Sequence, residues 1–146
     1  MKSLFDQTTK QEIIRRVQSL TSQTQRQWGK MDVAQMLKHV SIPLGLALTN
    51  PKPAGTFMNK ILGPLFKSNV VGPKPFKKNL FTPKELMVES EQDFDTQKQH
   101  VLAMLNRFTP DNVSDKVHPM FGKLTDLEWG HSQYKHFDHH LSQFGA

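Results

Sequence analysis

The residues best placed to do chemistry here are histidines. Seven occur in 146 residues, and three of them crowd into YKHFDHHL, from Tyr134 to Leu141. Neutral imidazole can move protons near neutral pH or ligate zinc, nickel or iron. His136 and His140 stand four positions apart, so on a helix their rings share a face and can converge on one cation. His39 lies far upstream, with Asp32 and Gln35 before it on its own flank. If the helix carrying His39 faces the C-terminal one, a third imidazole reaches the pair. Three neutral imidazoles with an open fourth position form a recognised divalent-metal site. The competing reading is of boundary histidines whose ring nitrogens are satisfied by backbone or water.

Helical geometry sorts the rest of this segment. Leu127, Tyr134, Phe137, Leu141 and Phe144 make an apolar stripe. At about 100° per residue, His140 falls about 60° to one side of Phe137, and His136 about 100° to that side. Trp129, Gln133 and Gln143 share the flank, forming a second, largely polar stripe. His131 and His139 are expected to project elsewhere, to solvent. The ring nitrogens turned away from a metal need acceptors, and Gln35, Gln133 and Gln143 are the candidates. Trp129, on the His stripe, and Trp28, just before the second helix, are either core packing or pocket walls. Asp138 points away from the stripe, and Asp32 is the one carboxylate candidate, so no catalytic residue is assigned.

Four helices must position these groups. The spacing predicts them near 9–21, 32–49, 93–108 and 125–143. Thr9-x-x-Glu12, Asp32-x-x-Gln35 and Thr125-x-x-Glu128 have capping spacing. Pro43 lies inside the second apolar stripe and should kink that helix or end it near Ile42. Pro51 and Pro53 should end it in any case. Residues 51–92 are rich in proline and lysine and read as a long crossover, with one short helical piece at Met58 to Leu62. Thr109 to Leu124 reads as loop, and no strand pattern is evident. The expected fold is all-α: a single domain over 1–146, a four-helix bundle with the long crossover between helices 2 and 3.

Composition narrows the function. Cysteine is absent, which removes disulfides, thiolate ligands and a cysteine nucleophile. With no signal-like N-terminus and no run of about 18 apolar residues, a cytoplasmic protein without membrane spans is expected. The net charge of +6 fits a lysine-rich surface better than a nucleic-acid interface, since the charge is spread out and no nucleic-acid motif accompanies it.

Three blocks resemble a known family: WGKMDVAQMLKHV (Trp28 to Val40), HPMFGKLTDLEWG (His118 to Gly130) and YKHFDHHLSQFG (Tyr134 to Gly145). They resemble the DinB-like, or YfiT-like, superfamily of candidate metalloenzymes, and within it the domain-of-unknown-function 1569 branch. The likeness covers almost the whole chain, with the blocks in the family's order. It implies a four-helix bundle with a long crossover, and a metal triad with one His on the second helix and His-x-x-x-His on the last. Carried over, these are His39, His136 and His140, the same residues that share the helical faces described above. It also implies, for some branches, S-transferase or isomerase chemistry with low-molecular-weight thiols.

Two main functions follow. One is a metal-dependent enzyme that activates water or a thiol cosubstrate on zinc, nickel or iron, with S-transferase or hydrolase-like chemistry and a small-molecule substrate. Lys30, Lys74 and Lys77 are candidates to attract an acidic thiol, or are ordinary surface lysines. The other is a non-catalytic metal- or ligand-binding bundle. A nucleic-acid-binding role through the basic crossover is the third, and a homodimer is a further candidate assembly.

Overall fold

The computed structural model describes residues 1–49, 67–80, 86–113, 117–118 and 121–146, and the chain is mainly helical among them. Helix α1 spans Gln7–Ser19, α2 Val33–Thr49, α3 Phe94–Arg107, the short α4 Pro110–Val113, and α5 Asp126–Gln143. A hairpin of β1 (Val117–His118) and β2 (Gly122–Lys123) precedes α5. The expected helical piece at Met58 to Leu62 and the stops at Pro51 and Pro53 lie outside the described residues.

Local hydrogen bonds start these helices. The Asp6 side chain accepts from Thr9 N and caps α1. The cap is therefore Asp6 rather than Thr9, and the helix begins three residues earlier than the Thr9-x-x-Glu12 spacing implied. On α2 the capping is reciprocal: Gln35 N donates to Asp32 Oδ1 at 2.8 Å, and Asp32 N to Gln35 Oε1 at 3.0 Å. Asp93 caps α3, and Thr125 with Glu128 closes a full capping box on α5.

Pro43 neither ends α2 nor moves its boundary, since the helix continues to Thr49. Proline removes a single helical donor, here the one that would reach the carbonyl of His39. Burial of Val40, Leu44 and Ala47 on either side keeps the turn packed. The segment from Thr109 to Leu124 is not all loop. It holds α4 and the antiparallel hairpin, with Val117 opposite Lys123 and His118 opposite Gly122. The hairpin strands are only partly buried and stand outside the core.

The core unites Ile13 and Val17 of α1, Met36, Leu37 and Leu44 of α2, Val101 and Leu105 of α3, and Phe137 and Leu141 of α5. Both α1 and α2 pack against α3 and against α5. Leu127, expected in the apolar stripe, is 76% exposed. It sits on the first turn of α5, about 80° around from Phe137, and so turns away from the core. Among the described residues, no helix is long and apolar enough to cross a membrane.

Candidate metal centre

Because α2 and α5 are neighbours, His39 faces the C-terminal histidines. His39, His136 and His140 each offer a ring nitrogen, and these atoms lie within 4.8 Å of one another. The three rings stand 4.5 to 5.0 Å apart between centroids, at steep mutual angles. His39 Nε2 and His136 Nε2 are 3.0 Å apart. Two ligands of one tetrahedral zinc would be about 3.3 Å apart, given bonds of about 2.0–2.1 Å.

The outer nitrogens define which atoms face inward. Nδ1 of His39 lies 2.7 Å from the Leu86 carbonyl. A carbonyl only accepts, so Nδ1 carries the proton and Nε2 keeps its lone pair. Nδ1 of His140 lies 3.0 Å from Gln143 Oε1, while Gln143 Nε2 donates to the Trp28 carbonyl at 2.7 Å. The amide is thereby oriented with its oxygen toward His140, which again leaves Nε2 free to ligate. Nδ1 of His136 is buried with no hydrogen-bond partner. Three imidazole nitrogens gathered with two outer nitrogens held is what a divalent cation of the zinc group requires, so the residues fit such an ion.

Electrostatics keep these rings neutral. Burial depresses the pKa of His39, offset in part by the Leu86 contact. His136 is pushed well below the ordinary histidine value, first by burial and then by His140 and His39. His140 falls to about 3, chiefly through burial and then through the charge on His39. A neutral imidazole is the ligating form, so the protein prepares the donors. Among the described residues no carboxylate joins the group.

The structure sorts the other candidates. Gln143 touches His140, as the helical stripe implied. Gln35 is engaged elsewhere: its side chain closes the α2 cap and reaches the carbonyls of Glu89 and Ser90. The acceptor for His39 is a main-chain carbonyl that no residue type could announce. Gln133 is buried with its Oε1 unpartnered. Trp129 is fully buried in the core, 5.5 Å from the His118 ring, and its Nε1 also lacks a partner. Asp32 is spent on capping. Lys30, Lys74 and Lys77 are exposed.

His131 and His139 do not project to solvent. His131 is buried, its Nδ1 3.0 Å from the Lys2 carbonyl and its Nε2 3.1 Å from that of Gly72. His139 is partly buried against the rings of Trp28 and Phe76. The cause is the described stretch 67–80, which packs over this face of α5. Lys67 pairs with Glu128 at 2.8 Å, and the Lys135 ammonium donates to the carbonyls of Asn69 and Gly72. Together His131, Tyr134, Lys135, Asp138, His139 and Ser142 form a third stripe on α5. The i, i+3, i+4, i+7 spacing was available as a signal, but its polar residues do not announce a covered face.

A family model described as a protein of unknown function, DUF1569, matches residues 2–146. No curated protein and no solved structure matches the chain.

Proposed function

The chain belongs to DUF1569, a family of proteins of unknown function, and from that premise we propose that it is a metal-dependent enzyme built on a DinB-like four-helix bundle. The carrying observation is the meeting of His39 from α2 with His136 and His140 from α5, with their ligand atoms within 4.8 Å. The packing of α1 and α2 each against both α3 and α5 supports the bundle. Zinc, nickel or iron held there would supply Lewis acidity, lowering the pKa of a bound water or thiol toward neutrality.

The chain's own residues have defined parts in this reading. His39, His136 and His140 hold the ion as neutral ligands. The Leu86 carbonyl and Gln143 fix two of the rings by their outer nitrogens. Any thiol comes from a low-molecular-weight cosubstrate, because the chain has no cysteine. The second reading is non-catalytic metal binding. It is favoured by the ligand group itself, which among the described residues holds three histidines and no carboxylate that could act as general base.

Metal analysis of purified wild-type and variant protein tests the site. Replacing His39, His136 or His140 by Ala abolishes stoichiometric metal, while His139→Ala retains it, and the helical content of all four stays at the wild-type level. Undiminished metal in His39→Ala overturns the assignment. Thiol-dependent consumption of an electrophile such as monobromobimane then separates the two readings: turnover that disappears with the metal supports the enzyme, and none with any thiol supports the binding protein.

A further inference from the structure

The third stripe on α5 gives the metal centre no ligand, although the His139 ring stands edge-on to that of His140 at 5.0 Å. Its middle lies about 160° around the helix from that of the triad's stripe. Together with Trp28, Phe76 and Lys78 it lines a cleft of about 270 Å³. We propose that this cleft is a binding site for a small flat aromatic anion, an arene carboxylate.

The walls suit a planar body. The His139 ring stands edge-on to Trp28 at 6.1 Å and to Phe76 at 5.7 Å, so three rings meet around the cleft. Tyr134 adds a fourth, partly buried ring. Rings so arranged present faces and edges on which an arene stacks.

The charges select the anion. Asp138, the one acidic group lining the cleft among the described residues, is already matched by Arg16, whose Nη1 lies 2.7 Å from its Oδ1. Lys135 is engaged with the Asn69 and Gly72 carbonyls and lies 4.5 Å from the Phe76 ring centroid. These carbonyls leave its positive charge uncompensated. Lys78 is different. Its ammonium stands 4.3 Å from the Trp28 ring centroid and has no anionic partner among the described residues. An exposed lysine stem is long enough to swing its head from the ring face onto a carboxylate beside it. A neutral arene would use the rings and leave both ammonium groups unanswered. A compact inorganic anion would use the charge and leave the rings unanswered.

Isothermal titration with β-naphthoate and with its neutral amide tests the assignment. The acid binds saturably at one site, and the amide binds about five- to tenfold more weakly. Lys78→Gln, an exposed position that does not endanger folding, weakens the acid by a similar factor and leaves the amide unchanged. Phe76→Ala weakens both. His39→Ala leaves naphthoate binding intact, because His39 is not among the residues lining the cleft. Equal affinity for acid and amide, an unaffected Lys78→Gln, loss of binding in His39→Ala, or no saturable binding by wild type would each overturn the proposal.

Discussion

His140 and Trp28 are joined through a single side chain. Gln143 Oε1 lies 3.0 Å from His140 Nδ1, and Gln143 Nε2 donates to the Trp28 carbonyl at 2.7 Å. The amide cannot flip without setting two donors, and two acceptors, against each other. The main chain at Trp28 therefore orients an imidazole more than a hundred residues away, and with it the nitrogen presented to the metal.

Replacing Gln143 by Leu should therefore weaken metal binding about 10- to 100-fold, the usual cost of removing an outer partner of a ligating histidine. Competition against a chelator of known affinity measures it. The metal-free variant should remain folded, since the apolar core is untouched. Wild-type affinity would mean that packing alone orients His140.

Gly29 protects the same contact. Its φ is +83°, and a Cβ there would lie 2.2 Å from Gln143 Nε2. Gly29→Ala should cost about 1–2 kcal/mol from backbone strain alone, read as a lower denaturation midpoint. It should also weaken metal binding in the same direction as Gln143→Leu. In the double variant the two losses in affinity should fall short of their sum, because both act on one hydrogen bond. Full additivity would show that Gly29 acts elsewhere.

Acid should destabilise the metal-free protein through its largely desolvated histidines. Burial lowers His118 to about 4 and, with His39, lowers His140 to about 3. Ordinary histidine titrates near 6.5. Above that pH both folded and unfolded chains hold these rings neutral. Below it the unfolded chain takes up protons that the folded chain refuses, so stability falls as pH drops from about 6.5 toward about 3. Urea midpoints after chelation, compared at neutral pH and near pH 5, should show the loss, and His118→Gln should reduce it. A midpoint independent of pH over that range would refute the account. The metal-loaded protein should release its ion over the same acid range as the ligands protonate.

The amino-acid sequence by itself determined the features that depend on neighbours within about one helical turn. The caps at Asp32 and Thr125 are hydrogen bonds across three residues, so residue type and spacing announce them. The pairing of His136 with His140 follows from the helical period in the same way. Tertiary structure decided the rest. That His39 meets the pair depends on α2 and α5 being neighbours, which is settled by the burial of Met36, Leu37, Phe137 and Leu141 in one core. Pro43 stays helical because that packing outweighs one missing donor. Gln35 and Gln143 looked equivalent as candidates, and only the fold separated them, sending one to a helix cap and the other to a ligand. The sequence sent His131 and His139 to solvent, and the fold covers them with residues 67–80. The Leu86 and Trp28 carbonyls, which orient the site, are main-chain atoms that every residue possesses. Only the path of the chain through space gives such atoms a role, since that path is set by the sum of many distant contacts rather than by any local run of residues.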